Sequence, residues 1–162
     1  MMDLESVKRN LEKGNYMNYE NDNNIGSTIE GMPIGAFELF TVKGLVVDLI
    51  EPGHLICSMK VPPRLLNSGY SSLHGGAMSV LIGSVANAAI HTVVDEKTSI
   101  SLEFNISFLD AAYLDEEIEI EARVARAGTA IGVISVDVRK KKTGKIIALA
   151  RYTDYLVTAS KM

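Results

Sequence analysis

His74, Gly75 and Gly76 lie within residues 65 to 94, a stretch that carries no formal charge. They close a loop and open an apolar run, Ala77-Met78-Ser79-Val80-Leu81-Ile82-Gly83-Ser84. A helix starting there points its unpaired backbone N–H groups, and the positive end of its dipole, at whatever lies before it. Such a terminus suits a carbonyl oxygen that gathers negative charge while its carbon is attacked. The chemistry suggested is acyl chemistry. One customary part of acyl hydrolysis is missing, because no Asp or Glu occurs anywhere in the stretch. A plainer reading stands beside this one: glycine pairs also serve tight turns, and His74 is then a loop histidine.

The elements that position this loop follow from hydrophobic period. Leu4, Val7 and Leu11 recur at helical spacing among charges, which predicts a short amphipathic helix over residues 3–13. The segment from Asn15 to Gly35 is rich in Asn and Gly and reads as a loop or arm. From Phe40 the period becomes two: Leu45, Val47 and Leu49 alternate with Val46, Asp48 and Ile50. Beyond Pro52-Gly53, a hairpin signal, Leu55, Cys57, Met59 and Val61 alternate with Ile56, Ser58 and Lys60. Pro62-Pro63 ends that strand, since proline cannot donate to a ladder. A loop through Asn67-Ser68-Gly69 leads to a helix from about Gly75 to Val93.

Four strands follow. In the first, Ile100, Leu102, Phe104, Ile106 and Phe108 share a face opposite Ser99, Ser101, Glu103, Asn105 and Ser107. Ile118 and Ile120 mark the second, and Ile134, Val136 and Val138 the third. A turn at Lys142-Thr143-Gly144-Lys145 precedes the last strand, Ile146 to Leu156. The expected class is α+β, an antiparallel sheet wrapped around one long central helix. A helix apolar nearly all round needs cover on every side, from its own sheet and from a second subunit. The expected division is a helix and arm over 1–42, one domain over 43–157, and a short tail over 158–162.

The totals agree with a single globular domain: 162 residues, 47% apolar and 22% charged. A net charge of −4 argues against nucleic acid or an anionic membrane as main partner. The single cysteine, Cys57, permits no intrachain disulfide and falls where alternation buries it. Residues 75–94 are long enough to span a bilayer, but Ser79, Gly83, Ser84, Asn87, His91 and Thr92 dilute them, which favours a buried helix. The first seven residues have neither a basic nor an apolar region of the signal-peptide kind. His54 and His91 have no partner at ligand spacing, so no metal site and no cofactor are expected. Arg139-Lys140-Lys141-Lys142 reads as a solvated hairpin tip, or as a turn that binds phosphates by charge.

This order, together with Asn67…His74-Gly75-Gly76, resembles the hotdog-fold acyl-CoA thioesterases, in the small thioesterase-superfamily group of the phenylacetate-type branch. The likeness runs over about residues 43–157. It rests also on Glu51-Pro52-Gly53 through Met59-Lys60-Val61, on Ser101 to Leu109, and on Thr143-Gly144-Lys145-Ile146-Ile147-Ala148. The resemblance implies that the Gly75 N–H binds the thioester carbonyl, that His74 and Asn67 place thioester and water, and that Ser101 orients the water. Coenzyme A contacts are expected at Gly76 and, by charge on the phosphates, at Arg139, Lys140 and Lys142.

Three departures stand out. The family places an Asp or Glu on the central helix nine residues beyond the histidine, and that position here is Gly83. One extra residue separates asparagine from histidine, which leaves Asn67 or Ser68 for the asparagine's part. In the last strand the family has Gly-Arg-His-Thr where this chain has Ala150-Arg151-Tyr152-Thr153. The resemblance implies an acyl-CoA hydrolase impaired by Gly83, forming a homodimer or homotetramer. The alternative is a non-catalytic acyl-CoA-binding protein or inactive subunit, with a hydratase on the same fold a third reading. Ser160-Lys161-Met162 resembles the peroxisomal address Ser-Lys-Leu, so peroxisome and cytoplasm are both expected locations.

Overall fold

The computed structural model describes residues 3–13, 36–69, 71–94 and 97–158. The expected arm over residues 15–35 and the Ser160-Lys161-Met162 address lie outside the described residues. The first helix forms where its spacing placed it, α1 over Leu4–Lys13, with Val7 and Leu11 buried. A second helix, α2, spans Ala36–Val42. The strands are β1 (Val46–Glu51) and β2 (His54–Lys60) before the long helix α3 (Gly75–His91). After it come β3 (Lys97–Phe108), β4 (Glu117–Ala127), β5 (Ile131–Lys140) and β6 (Ile146–Thr158). All pairings are antiparallel, in the order β1-β2-β4-β5-β6-β3, so β1 and β3 are the sheet's edges.

The α+β arrangement expected from the sequence is therefore present, one sheet with a long helix against it. Leu81, Ile82, Val85, Ala86, Ala88, Ala89 and Ile90 of α3 are fully covered. So are the residues they meet: Leu55 and Cys57 on β2, Ile118, Ile120 and Ala122 on β4, and Ile134, Val136 and Val138 on β5. Burial of this aliphatic surface is the main stabilising term. Cys57 is 0% exposed, as its alternation indicated, and burial pushes its thiol pKa up, with Asp48 and Glu12 adding to the effect. The Pro52-Gly53 hairpin docks on the far end of α3, where the Gly53 N–H donates to Thr92 Oγ1 at 2.7 Å. No helix among the described residues is long and apolar enough to cross a membrane.

Three sequence expectations are corrected. Residues 40–42 are not the start of an alternating strand but the last turn of α2. Thr41 and Val42 of that turn are buried, and the helix stops at Gly44, whose φ of +91° only glycine adopts easily. Arg64 closes the turn: its Nε donates to the Phe40 carbonyl at 2.8 Å and its Nη2 to that of Lys43.

The second correction is in β1. Val47 pairs with Cys57 but Leu49 pairs with Ile56, so Asp48 is an extra residue, a β-bulge. Past it the phase reverses, and Ile50, opposite Leu55, takes the inward place expected for Leu49.

The third correction matters most for function. Ser101 pairs with Asp154 and Glu103 with Thr153, so Leu102 is the extra residue of a bulge in β3. Paired residues project from one face. Ser99 and Ser101 therefore point to the same side as Phe104, Ile106 and Phe108, whereas Ile100 and Leu102 face outward at 46% and 59% exposure. Strict alternation had put the serines opposite the phenylalanines.

Candidate active site

The loop before α3 is held at both ends by backbone. Leu66 bridges Leu73, Ser72 bridges Tyr113, and the His74 N–H donates to the Leu65 carbonyl at 2.8 Å. Asn67 belongs to this brace: its N–H donates to the Ser72 carbonyl and its Nδ2 to Ser72 Oγ, both at 2.9 Å. The loop so pinned delivers His74 as the N-cap of α3, with φ −64° and ψ 129°. His74 Nδ1 accepts the Gly76 N–H at 3.0 Å. An accepting nitrogen carries no proton, so the neutral ring bears its proton on Nε2, which is left as a donor.

With Gly76 serving the cap, the Gly75 N–H is the group left for a ligand. Among the described residues no acceptor takes it, and Gly75 is exposed. A Cβ at Gly75 would lie 3.7 Å from the Phe108 ring, so the β3 aromatic forms one wall beside this N–H. The first turn of α3 thus offers an outward-facing donor backed by a helix dipole and flanked by apolar surface, as an oxyanion needs.

A second cluster lies further along α3. Ser79, Val80, Gly83 and Ser84 line an open cleft of about 290 Å3 together with Phe104, Tyr152 and Glu38. A Cβ on Gly83 would lie 3.5 Å from Tyr152 Oη. Ser101 Oγ donates to that same oxygen at 2.8 Å, and the Phe104 ring packs on Tyr152 at 4.6 Å between centroids. The β3 bulge brings Ser101 here, since without it the hydroxyl would face away from α3. Ser84 is buried beside the cleft. Asn87, one turn on, donates from Nδ2 to Ser99 Oγ at 2.7 Å.

Behind Ser101, its cross-strand partner Asp154 is fully buried, and neither carboxylate oxygen has a well-formed hydrogen bond among the described residues. Burial pushes this carboxyl pKa up. The Ser101 and Ser99 hydroxyls nearby pull it back only in part.

The structure thus groups Asn67, His74, Gly75 and Gly76 at the helix start, and Gly83 in the cleft with Ser101 bonded to the Tyr152 that lines it. It does not bring the two groups to one point. Gly83 lies eight positions beyond Gly75 on α3, about 12 Å along the axis. The basic turn is largely committed to acids. Arg139 pairs with Glu121 and lies 3.6 Å from Glu119, and Lys140 Nζ is 2.9 Å from Glu116. Lys140 also sits 5.3 Å from the centre of the Tyr113 ring, which links it to the loop before α3. Lys142 is exposed and forms no ion pair among the described residues. His54 Nε2 lies 2.8 Å from Glu121 Oε1, and no cluster of His, Cys, Asp and Glu with metal-ligand geometry occurs among the described residues.

Sequence reasoning singled out Tyr152 only as a departure, and it missed Glu38 and Asp154. Asp154 had a signal, an ionisable residue at an inward position of β6. Glu38 had none, because α2 itself was not foreseen.

The wrapped helix, the capped glycine start and the cleft beneath it define a hotdog-fold protein, and the chain belongs to the thioesterase superfamily, whose description matches residues 70–147. Among curated relatives it is similar to human acyl-coenzyme A thioesterase 13, 35% identical over 105 residues that make up 65% of this chain and 74% of that one. Among solved structures it is similar to zebrafish thioesterase superfamily member 2, with TM-score 0.76, 26% identity, and coverage of 96% of this chain and 99% of that one. It is also similar to thioesterase superfamily member 2 from Mus musculus, with TM-score 0.66, 32% identity, and coverage of 70% and 83%.

Proposed function

We propose that the protein hydrolyses acyl-CoA thioesters to free acid and coenzyme A. The observation that carries this is the exposed Gly75 N–H, left without an acceptor because the His74 cap uses the next amide. Water adds to the thioester carbonyl carbon and the oxygen becomes an oxyanion held at that N–H. The C–S bond then breaks, the carbonyl re-forms, and the sulfur leaves and takes a proton. Thioesters are activated electrophiles, so positioning and oxyanion stabilisation carry much of the rate. His74 and Asn67 hold the loop that presents the donor, Ser101 orients the water, and Lys142 meets coenzyme A phosphate by charge.

The working form is a homo-oligomer. The helix start and the Gly83 cleft are too far apart within one chain to serve one thioester, but a second copy placed along β3 supplies the missing half. β3 supports this reading: it is an edge strand of 12 residues with Ile100, Leu102 and Phe108 exposed. A dimer of dimers is the larger form of the same arrangement.

The second reading, an acyl-CoA binder without turnover, is favoured by one observation, the absence of a carboxylate at Gly83. Thiol release from acyl-CoA esters of graded length, and from an aryl-acetyl ester, separates the two. Turnover abolished by His74→Ala supports the hydrolase. Binding of a non-hydrolysable analogue with thiol release at background establishes the binder.

A further inference from the structure

The cleft around Gly83 is built like a water site, yet α3 contributes no acid to it. Its polar lining is Ser79, Ser84, Tyr152 and Glu38. Ser79 Oγ donates to the Gly75 carbonyl at 2.9 Å, and Tyr152 Oη already accepts from Ser101. Neither hydroxyl is a base at neutral pH. Asp154 lies behind Ser101 and has no surface in the cleft. Glu38 is the one carboxylate among the lining residues.

Its placement is fixed by the local fold. On α2, Glu38, Thr41 and Val42 lie at i, i+3 and i+4 and so share a face. Thr41 and Val42 are each 1% exposed, so that face is the one laid against the body of the protein. Arg64 anchors the end of the same helix through the Phe40 and Lys43 carbonyls. Glu38 itself is exposed and makes no hydrogen bond or ion pair among the described residues.

We propose that Glu38 of α2 supplies the carboxylate that α3 lacks at Gly83, and that it activates the attacking water. This rests on the hydrolase reading above. As the water oxygen bonds to the thioester carbon, one water proton passes to a Glu38 oxygen and the carbonyl π pair becomes the oxyanion. When that pair returns and the C–S bond breaks, the sulfur takes the proton from Glu38 and leaves as the thiol of coenzyme A. Glu38 ends as it began. Tyr152 and Ser101 hold the water from the opposite wall.

The test is steady-state thiol release by the native chain, Glu38→Gln, Gly83→Asp and the double variant. A Cβ at Gly83 meets Tyr152 at 3.5–3.9 Å, ordinary contact, so the backbone there accepts a side chain without a Cβ clash. Loss of general-base help lowers kcat of Glu38→Gln by about 10²-fold or more with little change in KM, and adding Gly83→Asp restores about tenfold or more of that loss. A merely structural role for Glu38 leaves nothing for an acid on another helix to restore. Native kcat in Glu38→Gln overturns the assignment and leaves the hydrolase standing. A native chain that binds acyl-CoA but releases no thiol overturns both.

Discussion

Ser101 on β3 and Tyr152 on β6 are joined by a 2.8 Å hydrogen bond that exists only because β3 gains a residue at Leu102. Tyr152 Oη lies 3.5 Å from where a Cβ on Gly83 would stand. The phenol oxygen is thereby fixed in the cleft, with its own proton free to meet water.

Tyr152→Phe removes that oxygen and leaves the ring packed on Phe104. Because the ring stays, the expected stability loss is about 1 kcal/mol, the usual net worth of one hydrogen bond. Activity is expected to fall more, by about tenfold in kcat/KM, as a water-placing contact is lost. Thiol-release kinetics beside a thermal melt separate the two effects. An unchanged kcat/KM would remove Tyr152 from the site.

Asp154→Asn is expected to stabilise the protein. Burial raises this carboxyl's pKa in the folded state above its unfolded value near 3.9. The folded chain therefore binds the proton more tightly than the unfolded one. The favourable contribution is full below about pH 4 and is lost as pH rises through the raised folded value. The neutral amide escapes this penalty, so at pH 7 the variant should melt higher by about 2–6 °C, with the gap closing towards pH 4. Melts across that range check it, and a gap that widens on acidification would contradict the sign.

Gly76→Ala adds a Cβ 3.1 Å from His74 Cε1 and Nδ1, so the imidazole must shift. Alanine gains about 1 kcal/mol in helix propensity over glycine, while the weakened cap costs about as much. Stability should stay near native while kcat/KM falls about tenfold, because the loop no longer presents its donors in register. A variant with native kcat/KM would show that the His74 ring position is immaterial.

Arg64→Ala removes the donors that close α2. Charged caps at a helix C-terminus contribute about 1 kcal/mol, so amide exchange over residues 39–43 should quicken about fivefold. The global melt should move little. Exchange measured by mass spectrometry reads this directly, and protection unchanged in the variant would assign the clamp no role.

Much of this was legible in the sequence because hydrophobic period survives wherever a segment has one buried face. The order of strands, the start of α3 and the burial of Cys57 follow from that. The bulges at Asp48 and Leu102 were not legible, since an inserted residue leaves the alternating pattern intact and changes only which half of it faces inward. Resemblance gives Ser101 a role, but only the extra residue at Leu102 turns its side chain to the face that role needs. α2 was missed for the opposite reason. Phe37, Leu39 and Phe40 remain exposed, so no burial stripe announced a helix, and its C-terminal clamp comes from Arg64, distant in sequence. The pairing of Arg139 and Lys140 with Glu121 and Glu116 likewise depends on neighbouring strands that no local pattern reveals.

The sealed position of Cys57 has a practical consequence for any study of assembly. A thiol with no surface and little thiolate cannot be reached by oxidants or alkylating reagents while the chain stays folded. Covalently joined pairs seen on a gel without reductant would therefore record molecules that had come apart before linking. Association between intact copies must be read by sedimentation or scattering.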